Sequence, residues 1–493
     1  MVEPSVAATP PAVHTSTRFI DAAHLTLQPL LLNAISVFAL AYIIRCLGPT
    51  AYGQWAVGTT LNAAVMFLVG MGLRPLFVRS VTHEPLRGPE LLAEQLGLRT
   101  ALGLLAAGLA TATAIALRYP TVIVLSTALA GVSTVLIAAW TTFADYLQAF
   151  QRVRVAATIT TAAGMVLTAI SVVVAWAGGG AVALSASYIS GPLISTVALA
   201  YMIRTLGSPV RVNWNTSAAR RLLTESRPLA VQLFLHSFRD RGEQLLVPKL
   251  VGIEAFGFFA AGMMPADRLE VIPDSLNTSY FTSIARSYGG HGSPARTIPE
   301  VRQLLVISLG ACLAAALAMT SFAPLVARIL FRRGGASAEF VMSVTVWSLP
   351  LAALAASMSS VLQATGHHKR AARAGIISTL VGSGTSLTLI ALVGLPGAAW
   401  GVVVRQAIAV AACAVPFSRT FGSLAEIVPF GRMALAALPA AVLLWCASVF
   451  QVGLTFGVIL GIVGVALFGG ALCVLRVVPW PPRGFLTAWR RSR

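Results

Sequence analysis

Apolar runs of roughly 20 residues recur along the whole chain, each closed by a short polar or glycine-bearing turn, and a run of that length spans a hydrocarbon core of about 30 Å as helix. They lie near 27–44, 55–78, 98–117, 121–143, 155–176, 181–203, 229–251, 255–284, 304–329, 341–365, 374–393, 397–416, 433–450 and 453–475. Lipid offers the backbone no hydrogen-bond partners, so a spanning segment must be a helix or part of a closed barrel. These runs are continuously apolar and lack the alternation of a barrel strand. The pattern predicts an all-α polytopic membrane protein with about fourteen transmembrane helices.

Composition agrees and excludes a soluble enzyme. Of 493 residues, 57% are hydrophobic and 10% charged, against about 25% charged in soluble domains. Residues 1–24, rich in Ala, Pro, Ser and Thr, lack the basic start and cleavage site of a signal peptide and are expected to form a cytoplasmic tail. The five cysteines show neither metal-ligand nor disulfide spacing, and no phosphate-binding Gly-rich loop with Lys occurs. No catalytic group, cofactor or metal is expected.

A net charge of +19 raises the question of nucleic acid, but the basic residues are spread over short connections and gather on no face. With the N-terminus in the cytoplasm, 24 of the 35 Lys and Arg fall in cytoplasmic connections and tails. Six fall outside (Arg45, Arg118, Lys249, Arg328, Arg332 and Arg333), and five lie within apolar runs. This is a strong positive-inside bias, and omitting one span would invert every later loop and destroy it. Both termini are therefore expected in the cytoplasm, with no nucleic-acid partner.

The sequence also repeats. Leu47-Gly48-Pro49-Thr50-Ala51-Tyr52-Gly53, then Ala56, recurs as Val251-Gly252-Ile253-Glu254-Ala255-Phe256-Gly257, then Ala260. Leu147-Gln148-Ala149 recurs as Leu362-Gln363-Ala364, and Gly180-Ala181 as Gly397-Ala398. Two six-helix bundles follow, residues 25–204 and 228–418, related by a parallel pseudo-twofold along the membrane normal. A cytoplasmic linker, 205–227, joins them; two extra helices, 419–476, and a basic cytoplasmic tail, 477–493, complete the chain.

Charges inside apolar runs are the candidate chemistry, because a mid-bilayer charge costs about 2.5–3.5 kcal/mol and must meet a partner or a wet cavity. The basic ones are Arg74, Arg239, Arg241, Arg268 and Arg405; the acidic ones are Asp240, Glu243, Asp267, Glu270 and Asp274, with His236 nearby. The offset between repeats maps Asp240, Glu243, Asp267 and Asp274 onto Ser36, Ala39, Ala63 and Gly70, so the first copy builds the same hairpin without them. Two readings stand: an Arg–carboxylate network that only locks helices together, or a polar cavity wall for an anionic head group. Arg74, close to a span end, also has the option of snorkelling to the interface.

Arg45-Cys46-Leu47-Gly48-Pro49-Thr50-Ala51-Tyr52-Gly53 resembles the signature that follows the first span of oligosaccharide flippases of the polysaccharide-transporter family, in the multidrug/oligosaccharidyl-lipid/polysaccharide exporter superfamily. Leu147–Arg152, Glu225–Leu229, Glu243–Gly252 (with Glu replacing the usual Asp) and Val361–Gly366 resemble further motifs of that family, in order, across most of 45–400. The resemblance implies two six-helix bundles in a V around a central cavity, alternating access, and residence in the bacterial inner membrane. It implies a lipid-linked glycan, of polyprenyl-diphosphate type, moved from the cytoplasmic to the outer leaflet. Membrane lipid and glycan polymerase or glycosyltransferase machinery are the other partners it implies. A diphosphate suits arginine forks, so Arg405, Arg239, Arg241, Arg268 and Arg74 are substrate-binding candidates. Arg405 leads, having no acidic sequence neighbour. Asp240, Glu243, Asp267, Glu270 and Asp274 are candidates for a coupling proton or cation.

Competing readings are a cation-coupled multidrug or small-molecule exporter of the same fold, a membrane polysaccharide polymerase or glycosyltransferase, and a membrane scaffold. The enzyme reading lacks a sizeable outer loop for catalytic groups, and a scaffold requires neither buried charges nor a repeat. The topology predicts that an impermeant thiol reagent reaches cysteines engineered at Thr50 and Ala336 in intact cells. It also predicts that cysteines at His368 and Ser217 stay unlabelled; labelling of His368 refutes the topology.

Overall fold

The structure, a computed structural model, describes residues 15–241, 243–289, 294–331, 335–449 and 454–475; in some stretches, among them 15–34 and most of 235–243, only the backbone course is described. The first part contains α1 (Thr15–Val65), α2 (Phe67–Gly70), α3 (Leu73–His83), α4 (Gly88–Ala116), α5 (Thr121–Ala149), α6 (Val153–Trp176), α7 (Ala181–Ser187) and α8 (Ser190–Thr205). Then come α9 (Thr216–Arg241), α10 (Val247–Val251), α11 (Ile253–Leu269), α12 (Val271–Gly289), α13 (Pro294–Leu330) and α14 (Gly335–Thr345). The chain continues with α15 (Ser348–Ala364), α16 (His368–Val393), α17 (Leu395–Phe421), α18 (Leu424–Ile427), α19 (Phe430–Val449) and α20 (Leu454–Val474). The described residues contain no strand.

Each apolar run falls on helix, but several are broken. Run 55–78 spans α1 to α3, interrupted at Met71 and Gly72, both left-handed. Run 229–251 ends its long helix at Arg241 and resumes at Val247, so the polar stretch around Glu243 splits it. Run 255–284 changes helix at Glu270. Among the described residues nine segments are long and apolar enough to cross a membrane, and Phe430–Leu443 and Ile459–Val474 are shorter apolar helices. Many large apolar side chains, including Phe38, Leu104, Val173, Trp176 and Leu392, point out of the protein. Such a surface suits hydrocarbon as solvent, and the chain is a multi-pass membrane protein.

What joins the two parts is a close crossing of α1 and α11. Gly48, inside α1, has φ 73° and ψ 175°, and Gly252, before α11, has φ 100° and ψ 159°. This region of backbone space is open in practice only to glycine, and in both places it turns the chain sharply into the next helix. Five residues on, Gly53 and Gly257 meet back to back. A side chain on Gly53 would strike the Ile253 carbonyl oxygen, and one on Gly257 would strike the Pro49 carbonyl oxygen. The contact is reciprocal: Gly53 faces the Ile253 carbonyl and Gly257 the Pro49 carbonyl, and both pairs stand at one sequence offset.

Two basic residues brace the same end. Arg45 donates from Nη1 to the Arg328 and Ile329 carbonyls, 3.4 and 3.2 Å away, at the C-terminal turn of α13. The last carbonyls of a helix are generally left for partners outside it, and a cation there also meets the negative end of the helix dipole. Lys249, the counterpart of Arg45 at the same offset, puts Nζ 3.5 Å from the Arg118 carbonyl and 4.4 Å from the centre of the Tyr119 ring. Each part therefore reaches across to the other beyond the glycine crossing.

Further matches concern helix ends. Arg152 N donates to Leu147 O and His367 N to Leu362 O, both at 2.8 Å. Arg204-Thr205-Leu206-Gly207-Ser208 and Arg419-Thr420-Phe421-Gly422-Ser423 also correspond, with Gly207 and Gly422 at φ 81° and 94°.

Gly53→Ala or Gly257→Ala is expected to push α1 and α11 apart. A disulfide between cysteines placed at Thr50 and Glu254 should then form several-fold less efficiently than in the glycine background. Unchanged crosslinking would show that the backbone approach is not what closes this end.

Candidate substrate cavity and a buried charge cluster

Directly beneath the glycine crossing lies a cavity of about 390 Å³, within the usual range of small-molecule sites. Its wall is Leu40, Tyr52, Trp55, Ala56, Thr59 and Thr60 from α1, and Gln244, Phe256, Phe259, Ala260, Met263 and Met264 from the second part. These twelve form six pairs at the offset of the Gly53–Gly257 match, beginning with Leu40 and Gln244 and ending with Thr60 and Met264. Asp267 and Arg268 complete the lining, and their counterparts are Ala63 and Ala64. The wall positions thus pair at one sequence offset, and charge stands on one side alone.

The aromatic side is ordered. Tyr52 and Trp55 pack with tilted rings 5.5 Å apart between centroids, and Trp55 and Tyr188 likewise at 5.1 Å. Arg268 stands within electrostatic reach of both phenols, Tyr52 and Tyr188. Beside the wall, Asn62 Nδ2 donates to Gly58 O and Thr127 O at 3.0 and 2.9 Å, and Thr134 donates to Asn62 Oδ1 at 3.3 Å, pinning α1 to α5. Such a surface offers aromatic faces for a sugar or a cation, and a guanidinium fork for phosphate oxygens.

The other sequence candidates lie elsewhere. Arg405, on α17, is 6% exposed and packs its stem against Gly382 of α16; it is not among the residues lining this cavity. Glu270 caps the C-terminus of α11, and Asp274, in the first turn of α12, is exposed; neither lines the cavity. Arg239, Asp240 and Arg241 close α9 and Glu243 follows it, but their side chains, with that of His236, lie outside the described part.

Arg74 belongs to a second cluster. Its Nε lies 3.1 Å from Asp145 Oδ1, and its Nη2 donates to Gln148 Oε1 at 2.7 Å. Arg99 Nη1 reaches the other oxygen, Asp145 Oδ2, at 2.8 Å. Arg99 and Asp145 are almost fully enclosed, with side chains 3% and 7% exposed, whereas Arg74 is 66% exposed. Arg99 stands at the edge of the run 98–117 and Asp145 just past the run 121–143, where a charge reads as part of a connection, but α4 begins at Gly88 and α5 ends at Ala149, so both lie inside helix. The signal was present: Asp145 stands three residues before Gln148, and its counterpart in the Leu362-Gln363-Ala364 match is Ser360.

Residues 21–285 match the profile of the polysaccharide biosynthesis protein family, more than half of the chain. The chain belongs to this family. Among solved structures, the lipid II flippase MurJ in an inward closed conformation is 12% identical, covering 89% of this chain and 98% of that one, with a TM-score of 0.62. The inward-facing conformation of a multidrug resistance MATE family transporter of the MOP superfamily is 14% identical, covering 78% and 93%, with a TM-score of 0.61. These likenesses establish that this family member has the fold of that superfamily. No curated protein matches it.

Breaking a buried ion pair on one side strands the other charge, at a cost of about 3–5 kcal/mol. Asp145→Asn is therefore expected to lower thermal stability and membrane abundance sharply, whereas the paired change Asp145→Leu with Arg99→Met should restore much of the loss. Equal abundance of Asp145→Asn and the parent would show that the cluster is not structural.

Proposed function

We propose that this protein flips a lipid-linked oligosaccharide or polysaccharide precursor, carried on a polyprenyl diphosphate, from the cytoplasmic to the outer leaflet of a bacterial inner membrane by alternating access. The carrying observation is the one-sided charge on an otherwise matched cavity: Arg268 and Asp267 stand where the first copy has Ala64 and Ala63. The family, whose described role is polysaccharide biosynthesis, supplies the glycan, and the similarity to a lipid II flippase fits a lipid carrier. Both termini lie in the cytoplasm in this reading, so the end closed by Gly53 and Gly257 is the outer one. The two parts are the six-helix bundles 25–204 and 228–418, related by a parallel pseudo-twofold, and rocking about the crossing exposes the cavity to each side in turn.

Arg268 grips the diphosphate in a fork that an ammonium does not reproduce. Tyr52 and Trp55 offer aromatic faces to the first sugar, and the polyprenyl chain stays in lipid. Asp267 is the carboxylate available to a coupling proton or cation. A second reading rests on the same wall: four aromatic residues with one carboxylate suit an organic cation, as in a multidrug exporter.

The two readings separate by mutation. Arg268→Ala is expected to reduce glycan export at least about ten-fold with protein abundance unchanged, and Arg268→Lys to rescue only in part. Arg405→Ala is expected to lower abundance instead, as loss of a buried stem. If Asp267→Asn abolishes transport, Arg268→Ala is tolerated, and cells become sensitive to organic cations, the cation exporter is the correct reading.

A further inference from the structure

A second and larger hollow, of about 630 Å³, lies between α4 and the start of α9, and it shares no lining residue with the central cavity. The linker builds it. Residues 213–215 cross α4 at Gly97, where a side chain would strike the Asn213 carbonyl oxygen. Asn213 N donates to Ala93 O at 3.1 Å, and Asn215 Nδ2 to Glu94 Oε1 at 2.9 Å. Asn215 Oδ1 in turn accepts from Ser217 N at 3.1 Å, which starts α9 alongside α4. Ala219, Leu222 and Leu223 then pack towards Leu98 and Leu102.

The resulting groove has an apolar floor, Leu98, Leu102, Leu105 and Leu223, and a rim with Trp214, Arg220 and Arg227. Leu105 and Trp214 are more than half exposed, so the floor opens outwards and the indole stands at its edge. Arg220 and Arg227 are seven residues apart, on one face of α9 and roughly 10 Å apart along its axis. Neither forms an ion pair with a carboxylate among the described residues. Two unneutralised guanidinium groups over an apolar trough with a tryptophan at the rim are complementary to a phosphate carrying acyl chains.

We infer that this groove holds an anionic phospholipid of the surrounding bilayer, its phosphate between Arg220 and Arg227 and an acyl chain along Leu98, Leu102 and Leu105. A bilayer phospholipid fits better than the transported glycolipid, because Trp214 is the one aromatic face in the lining and Thr216 and Thr224 its only hydroxyl side chains, few groups for a chain of sugars. The lipid stitches the linker to α4 and braces the first part against movement of α9. Assignment to the cytoplasmic leaflet rests on the proposed orientation; the binding itself does not.

The test uses the purified full chain in neutral detergent, titrated with short-chain phosphatidylglycerol or phosphatidylcholine while its thermal midpoint is followed. Phosphatidylglycerol is expected to stabilise and phosphatidylcholine not, with Arg220→Gln plus Arg227→Gln weakening the phosphatidylglycerol midpoint concentration about ten-fold or more. Phosphatidylglycerol brominated on its acyl chain should quench parent fluorescence more than that of Trp214→Phe, a comparison that stands even if the arginine variants fold poorly. Equal effects of the two lipids, or quenching unaltered by Trp214→Phe, would overturn the inference. So would binding of a polyprenyl phosphate that phosphatidylglycerol does not displace, since the groove would then serve the transported lipid. Export is not measured in any arm, so failure here leaves the transport reading standing.

Discussion

Two helices can approach to backbone contact only where neither carries a side chain, and the arrangement of this protein depends on one such place. At Gly53 and Gly257 the amide of each glycine lies beside the other, and the carbonyls of Pro49 and Ile253 fill the volume that side chains would need. The sharp turns at Gly48 and Gly252 aim the helices into that crossing, and Arg45 and Lys249 hold the flanking helix ends once it forms. The cavity beneath owes its roof to this contact and its paired walls to the helices that leave it.

Chemistry enters where the pairing fails. Aromatic and small residues face one another around the cavity, and then Asp267 and Arg268 stand opposite a pair of alanines. A matched scaffold with a single charged flank gives a polar ligand one orientation, which a carrier needs if head group and tail are to keep their places while the bundles move. The Asp145 cluster does the opposite work: one carboxylate is shared between Arg74 and Arg99, and the contacts hold α3, α4 and α5 together.

The helical, membrane-spanning class was legible because hydropathy reports burial in lipid directly, and the family signature around Gly48 and Gly53 sits on the residues that form the crossing. The site was harder to read. Sequence separation from acidic residues made Arg405 look like the lone cation, yet partners come from other helices, and linear distance says nothing of that; the residue is enclosed between α16 and α17. Arg268, which does line the cavity, looked less distinctive because Asp267 and Glu270 stand beside it. Asp145 and Arg99 pose a related problem: each stands at or just past the edge of an apolar run, 121–143 and 98–117, where a charge reads as part of a loop, although both helices continue and packing encloses the side chains.

The glycine crossing also constrains how such a molecule can change over time. In a symmetric dimer one substitution appears in both subunits, and the axis is altered twice at once. Here both sides of the crossing lie on one chain, so wall positions such as Thr59 and Met263 are free to drift singly and to reshape the cavity step by step. The crossing has no such freedom, since a side chain gained by either glycine collides with the other copy's backbone, and no change in its counterpart makes room. Ligand preference can therefore diversify gradually, while the point about which the halves meet is inherited all or nothing.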